Sequence, residues 1–427
     1  MQKLKLLISA YACEPGKGSE PGVGWRWALE TAALGHEVWV LTRSNNEPGI
    51  THQLAMLGHP ANLHFLYYDL PPSMRWWKRG GCTVHLYYLL WQWGAYKFIR
   101  ARLAQLPFDA VHHLTFGVIR HPSFMGRLGL PFVTGPLGGG ERAPPAMRRP
   151  LSWGGRIKDT LRDVFNWMAR YDPFVRQMYA QAGLILMKTP QSLAWLPSKY
   201  QSRARCMLEI GIDRHAAIDE APAEAEKRQT TLHVLYVGRF LYWKGMDLGL
   251  RAIAELRRRG MPVRLTMIGQ GNEKSRWQRL TAELRLADCV TWVPWMKQTD
   301  LLAAYRTFDA LLFPSLHDSS GNVVLESLAG GLPVVCLDLG GPAQLVDASC
   351  GVKVSVDDRD ADQVILALAD ALAELAQDRM RLDALRTGAV KRAQAMGWQQ
   401  VVGQVWGENG SGYWLLNNRT SEEQAYA

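Results

Sequence analysis

Along this chain, short continuous apolar runs alternate with segments in which apolar residues recur every three or four positions. In the first half, residues 4–10, 37–42, 62–68, 110–114, 131–134 and 184–188 carry the strand pattern, and residues 22–34 the helical one. Strands that are apolar on both faces and separated by helices imply a parallel sheet covered on both sides. The second half repeats the programme. Strands are expected at 232–237, 263–268, 290–293, 310–313 and 333–337, with helices at 245–259, 277–286 and 322–328 between them. Such alternation specifies a doubly wound α/β domain. Residues 213–229, rich in Ala, Glu and Asp without a strong apolar period, read as a link between the halves. Two such domains facing one another would leave a central cleft at the carboxyl ends of their strands.

At 427 residues the chain is long enough for two or three domains, each with a full core. With 48% hydrophobic and 21% charged residues it is neither collagen-like, nor a coiled coil, nor wholly disordered. Charge sharpens the division into halves. Residues 1–200 hold 23 Lys and Arg against 11 Asp and Glu, and the remainder 26 against 28. A basic half beside a nearly neutral one points to different partners for the two. The six cysteines lie far apart with no Cys-x-x-Cys pair, which speaks against a zinc site or a disulfide framework and fits a reducing cytoplasm. The opening MQKLKLLISAYAC sets two lysines before a short apolar run, but glycine-rich residues follow at once, so a first strand is expected there rather than a secretion signal. No uninterrupted apolar run reaches the roughly 18 residues of a spanning helix. Asn418-Arg419-Thr420 fits a glycosylation acceptor, which carries no meaning in a cytoplasmic chain.

The chemistry is most legible in the neutral half. The strand at 232–237 runs into Gly238-Arg239, and Lys244-Gly245 follows after four residues. Arg239 offers a bidentate fork to phosphate oxygens, and Lys244 a second positive charge. Residues 314–341 read PSLHDSSGNVVLESLAGGLPVVCLDLGG. There a strand enters a polar loop and then a helix, so Ser319, Ser320 and Gly321 present backbone N–H groups and a positive helix end suited to a diphosphate. Glu326, about one turn into that helix, is placed to accept hydrogen bonds from ribose hydroxyls. Asp318 would accept from sugar hydroxyls beyond the phosphates. A carboxylate set in the apolar string VVLESLAGG is costly unless it has a use.

In the basic half, the first strand leads into CEPGKGSEPGVGW, where Gly18, Gly22 and Gly24 permit tight turns close to a ligand, ahead of a helix N-terminus. The spacing is not the GxGxxG of a dinucleotide domain, which argues against a nicotinamide oxidoreductase. His112 and His113 close the strand at 110–114, and the residues alone leave open whether they serve structure or chemistry. The later stretch 135–141, GPLGGGE, shapes either an acceptor pocket or a turn.

The order GRFLYWKG, IGQG, PSLHDSSGNVVLESLAGGLPVV resembles the retaining GT-B glycosyltransferases of family 4, the glycosyl transferases group 1. The resemblance covers nearly the whole chain and is strongest at 232–350. It implies an α/β GT-B fold: two doubly wound Rossmann-like domains facing a central cleft. Residues 1–205 would form the acceptor-side domain, 206–230 a linker, 231–395 the nucleotide-sugar-binding domain, and 396–427 a segment packing back across both. By the same resemblance Arg239 and Lys244 would hold the donor diphosphate and Glu326 the ribose. Asp318 stands where the family usually has the first Glu of Glu-x7-Glu, one methylene shorter in reach. Gly321 and Asn322, with Ser320, would supply contacts to sugar and phosphate. Gly269 and Gly271 match the family's Gly-x-Gly turn, and Val293–Trp295 would lie near the nucleobase. The loop holding Gly22 and Gly24 would close over the donor phosphates, with Glu14 or Glu20 toward the acceptor. The family's Asp-x-x-His-x-His pattern is altered by Leu114, so either His112 or His113 would take the place near the donor sugar, with His113 preferred.

Residues 74–103 and 147–170 interleave Trp and Tyr with Lys and Arg. That combination suits adsorption to an anionic membrane surface, or stacking on nucleic acid, or a buried aromatic helix with solvated charges. No nucleic-acid-binding motif accompanies it, and the family's use of lipid-linked acceptors favours the membrane. The expected function is therefore retaining transfer of a sugar from a nucleotide-diphosphate sugar to a lipid-linked saccharide in polysaccharide or glycolipid biosynthesis. The protein would be cytoplasmic and peripheral on the inner face of the membrane. No metal or other cofactor is demanded, because the cations named can stabilise the leaving diphosphate. The alternatives are a nucleotide-sugar epimerase on the same fold and a non-catalytic nucleotide-sugar-binding scaffold.

Overall fold

The computed structural model describes residues 2–74, 84–213 and 231–413. Part of the link at 206–230, residues 75–83 of the aromatic stretch with Cys82, the sequon at Asn418 and the tail therefore lie outside the described residues. The chain divides into two compact units. One comprises Met1–Gly140, Phe165–Ile210 and Trp398–Ala427, the other Glu141–Val164 and Gly211–Gly397.

The first unit is built on a seven-stranded sheet. Its strands are β1 (Lys5–Ser9), β2 (Glu37–Thr42), β3 (Leu63–Tyr67), β4 (Ala110–His113), β5 (Phe132–Leu137), β6 (Leu184–Met187) and β7 (Ala204–Cys206), in the order β3-β2-β1-β4-β5-β6-β7. Every pairing is parallel; Leu6, for example, sits opposite Val38 on one side and Ala110 on the other. Leu6, Leu7 and Ile8 are at most 1% exposed, as a strand covered on both faces requires. The closing helix Trp398–Trp406 joins this unit: Trp406 donates its indole N–H to His112 Nδ1 at 3.2 Å, and its carbonyl meets His36 Nε2 at 2.8 Å.

The aromatic helix Val84–Arg100 also belongs here, and the structure corrects part of its expected role as a membrane surface. Tyr87, Tyr88, Trp91, Ala95 and Ile99 recur at helical spacing and are fully buried in the core. Over these residues the bland alternative holds: a three-to-four-residue aromatic period facing a sheet is core.

The second unit carries six parallel strands: β8 (Leu232–Val237), β9 (Val263–Ile268), β10 (Val290–Val293), β11 (Ala310–Phe313), β12 (Val334–Leu337) and β13 (Gly351–Val354), in the order β10-β9-β8-β11-β12-β13. Helices Met246–Arg258, Lys274–Glu283 and Asn322–Ala329 form the crossovers. Residues Glu141–Val164 also belong to it, tied for instance by Arg276, whose guanidinium donates to Pro150 O at 2.7 Å.

In both sheets the winding reverses direction beside the first strand of the unit, between β1 and β4 and between β8 and β11. Loops leaving such neighbouring strands diverge to opposite faces and open a crevice at their carboxyl ends. Among the described residues no helix is long and apolar enough to cross a membrane, and Cys13, Cys289, Cys336 and Cys350 are buried free thiols.

Candidate functional site

The switch point of the second sheet collects most of the residues singled out in the sequence. β8 ends at Val237, and Gly238 follows with φ +150°, its N–H donating to Ile268 O at 3.0 Å. Gly269, after β9, has φ +145° and donates to Val293 O at 2.9 Å. A Cβ on Gly269 would collide with Gly238 O, and one on Gly271 with Phe240 O. Glycine is required at both because the turns after β8 and β9 lie directly against each other. Gly238, Gly269, Gly271 and Val293 therefore share one sheet edge. Arg239, next to Gly238, is exposed and makes no ion pair among the described residues.

Lys244 closes the short 3-10 turn Tyr242–Lys244, and Gly245 follows at φ +69°. A Cβ at 245 would strike Pro314 O, so the turn after β8 rests on the start of the loop after β11. That contact sets Lys244 Nζ 2.5 Å from Asp318 Oδ2 and 4.8 Å from the Phe313 ring centre. Asp318 Oδ1 accepts the N–H groups of Gly321 at 2.9 Å and Ser320 at 3.2 Å. Burial would raise the Asp318 carboxyl, but the Lys244 ammonium and those two donors outweigh it and hold the group below its usual range. Gly321, at φ +83°, then opens the helix Asn322–Ala329. Lys244, Asp318, Ser320, Gly321 and Asn322 are thus brought together, with Asp318 lying where an anion would meet the helix end.

Glu326 sits one turn along that helix. Its carboxylate faces Gln298 Nε2 at 3.4 Å and Tyr305 Oη at 3.5 Å, and no cation pairs with it among the described residues. Burial raises its pKa above the ordinary glutamate value, against the smaller opposing effect of those two hydrogen bonds. A half-buried carboxylate with only weak, long partners is poised to accept stronger hydrogen bonds.

Sequence reasoning missed the support beneath this loop. His317 Nε2 pairs with the fully buried carboxylate of Asp159, and His317 Nδ1 lies 3.2 Å from Arg162 Nη1. Arg148 Nε approaches the second Asp159 oxygen at 2.9 Å. Ser319 donates to Glu141 Oε2 at 2.7 Å. His317 stood inside the motif and Glu141 at the end of GPLGGGE. Arg148 and Arg162 read only as members of a basic stretch, because Asp159 and Arg162 meet His317 across 158 and 155 positions and leave no local signal of that pairing.

The remaining site residues lie in the first unit. The helix Ser19–Ala33 begins three residues ahead of the expected start, so Gly22 and Gly24 are helical rather than loop residues. Gly24 has no room for a Cβ, because Ala12 O and Thr115 lie against it. Glu20 Oε1 accepts the Gly117 N–H at 3.1 Å, and burial raises its pKa. Both histidines are fully buried. His112 is committed at both ring nitrogens, with Nε2 2.7 Å from Gly135 O and Nδ1 accepting from Trp406. His113 Nε2 meets Tyr88 Oη at 3.2 Å, and its Nδ1 has no hydrogen-bond partner among the described residues. Burial lowers the two imidazoles to about 4 and about 3 respectively, so both are neutral near pH 7. Among the described residues no group of three or more His, Cys, Asp and Glu is arranged to hold a metal ion.

Residues 217–391 match the family model described as glycosyl transferases group 1. The chain is 34% identical over 176 residues to the D-inositol 3-phosphate glycosyltransferase of Pseudarthrobacter chlorophenolicus, covering 40% of either chain. A further relative with the same description, from Thermobispora bispora, is 36% identical over 203 residues, which is 43% of this chain and 45% of that one. The chain thus spans less than half the length of either relative. Among solved structures, the sucrose-phosphate synthase of Thermosynechococcus elongatus matches all of both chains with a TM-score of 0.63 at 18% identity. At that identity the likeness is one of fold.

Proposed function

Residues 217–391 belong to the glycosyl transferases group 1 and the chain has the GT-B fold, and from that premise we propose that it transfers a sugar from a nucleotide-diphosphate sugar to a lipid-linked saccharide, with retention of anomeric configuration. The observation that carries this reading is the convergence of Lys244, the Gly321 helix end and the weakly partnered Glu326 on one edge of the second sheet, at its switch point. A dianionic diphosphate would take the two helix-end N–H groups and the Lys244 charge, now satisfied by Asp318, while exposed Arg239 adds a bidentate fork. Gly269, Gly271 and Val293 would border the nucleoside, and Glu326 would accept from the ribose hydroxyls. Asp318, displaced from the helix end, would turn to the sugar.

Positive charge fixed in place before the reaction stabilises the charge that develops on the leaving diphosphate, and a single such donor contributes about two to three powers of ten in rate. The acceptor hydroxyl would attack on the leaving-group face, the departing phosphate oxygen taking its proton. His113, with one ring nitrogen uncommitted, is favoured over His112 for a contact with the donor sugar. A uridine diphosphate donor is the first to try, since the Anabaena Alr3699/HepE structure of the same fold was solved with UDP-glucose. Action on a lipid-linked acceptor would set the protein against the inner face of the cytoplasmic membrane, in assembly of a polysaccharide or glycolipid.

The test is a panel of nucleotide sugars with lipid-linked acceptors, read by mass spectrometry of the product and by its anomeric configuration. Transfer with retention, weakened by Glu326→Ala, is the expected result. Turnover of the donor without an acceptor would favour an epimerase, and binding without turnover a scaffold; either would overturn the proposal.

A further inference from the structure

The helix Trp153–Ala169 is amphipathic in the reverse of the usual sense. At about 100° per residue, Trp153, Ile157, Leu161, Val164 and Met168 fall within one arc of about 80°. All five are exposed, from 39 to 79%. The opposite side carries Gly155, Asp159, Asn166 and Ala169, and these are the buried residues. Polar bonds hold that inner side down. Asp159 pairs with His317 and Arg148, and Arg162 donates to Glu141 O at 2.5 Å. A surface helix ordinarily buries its apolar stripe and shows water its charges. Here the sequence spends buried ion pairs to keep five large apolar side chains in solvent, and such a contiguous apolar patch marks an interaction surface.

The flanks of the stripe identify its partner. Arg156 and Lys158 project about 100° to either side of the centre of the apolar arc, as an angle of about 100° per residue places them, and both are exposed. Arg156 folds toward the carbonyls of Leu151 and Arg149, and neither cation meets a carboxylate among the described residues. Cations on both shoulders of an apolar stripe stand at headgroup level when the helix lies flat in a membrane interface, with Trp153 at the boundary. A second copy of the chain on this face would bring the same cations against themselves.

We propose that the exposed face of the helix Trp153–Ala169 docks the protein on an anionic phospholipid bilayer. This deepens the reading of a lipid-linked acceptor and rests on it for its purpose. It names the surface that would hold the enzyme beside such an acceptor. The basic excess of residues 1–200 adds long-range attraction to the same partner.

The test is co-sedimentation of the full chain with vesicles of phosphatidylglycerol and phosphatidylcholine, against vesicles of phosphatidylcholine alone. Binding to the anionic vesicles is expected, weakening as salt rises. Leu161→Glu should reduce it at least about tenfold, and Lys158→Glu about fivefold or more, since each cation near such a surface contributes a factor of that order. Both side chains are exposed, so the melting temperature of each variant should match that of the parent. A wild-type protein that stays in the supernatant, or a Leu161→Glu variant that binds as well as wild type, would overturn the proposal. So would a dimer in analytical ultracentrifugation that Leu161→Glu dissociates while vesicles are ignored, because the face would then belong to a second copy. Sugar transfer to a detergent-solubilised acceptor is measured separately. Its failure beside intact vesicle binding would remove the transferase reading and leave the membrane surface standing.

Discussion

Lys244 and Asp318, 74 residues apart in sequence, meet at 2.5 Å, and the other oxygen of the same carboxylate accepts the N–H groups of Gly321 and Ser320. One aspartate thereby holds both the cation and the helix-end donors that a diphosphate would use. Binding of a diphosphate at this edge would therefore exchange one anion for another, and the strength of the internal anion would set the affinity for the external one.

Asp318→Asn keeps an oxygen for the two N–H groups and removes the charge that faces Lys244. UDP should bind the variant about fivefold more tightly, the effect of one unit charge at about 4 Å in a wet site. Isothermal titration calorimetry reads this directly. An unchanged affinity would mean that Lys244 does not face the diphosphate. Lys244→Met should lower transfer by about a hundredfold or more if this cation stabilises the leaving group.

Glu326 predicts a trade between stability and binding. Its pKa is raised by burial, so the ionised form is disfavoured in the fold. A raised carboxyl costs stability above its unfolded value of 4.5 and ceases to cost it only as pH falls below that value. Glu326→Gln should therefore raise the melting temperature at pH 7 while weakening UDP binding roughly tenfold, the loss of a charge-assisted hydrogen bond to the ribose. For the parent, affinity should fall as pH drops toward the raised pKa, and for the variant that slope should vanish. A variant that loses neither affinity nor pH dependence would remove Glu326 from the donor site.

The strands that position this site were legible because parallel strands buried on both faces read as continuous apolar runs. β2, β8, β9, β10 and β11 fall at the expected residues, and most other expected strands within one residue at each end, β5 running three residues longer. β7 and β13 were missed for a common reason. Each is a short edge strand, with two of its residues exposed or only half-buried, so Ala204–Cys206 and Gly351–Val354 lack the run that marks the inner strands. The aromatic stretch misled because a Trp and Tyr period says that a helix has an apolar face without saying where that face points. In Val84–Arg100 it points into the core, in Trp153–Ala169 out to solvent. What decides between them is Asp159 finding His317, 158 positions away, a pairing across the fold that local sequence does not encode.

Gly269→Ala tests the close packing of the turns after β8 and β9. The new Cβ would meet Gly238 O, at a backbone φ of +145° that non-glycine residues rarely adopt. Strain and overpacking together predict a loss of about 2–4 kcal/mol in urea unfolding. UDP binding should weaken with it, because Gly238 and Arg239 must move to make room. Full stability in the variant would contradict the contact.

Acid stability should report the buried imidazoles of the first unit. His112, His113 and His121 are lowered, mainly by burial, from 6.5 to about 4, about 3 and about 3. For a lowered group the stability is fully present above the unfolded value and is lost as pH falls toward the folded one. The decline should therefore start near pH 6.5 and be steepest near pH 5, where the unfolded chain binds three protons that the native chain refuses, easing as pH nears the folded values. The linkage slope is then up to about 4 kcal/mol per pH unit near pH 5, measurable by urea unfolding across that range. His121 stacks on Phe116 with ring centres 5.6 Å apart and its Nδ1 has no partner among the described residues, so a phenyl ring suits its place. His121→Phe should preserve folding and cut the slope by about one third. Stability that stays level from pH 7 to pH 5, or a slope untouched by the substitution, would mean that these rings take up protons in the native state. In that case His113 would be open to water, and its neutral form could not be assumed at the candidate donor contact.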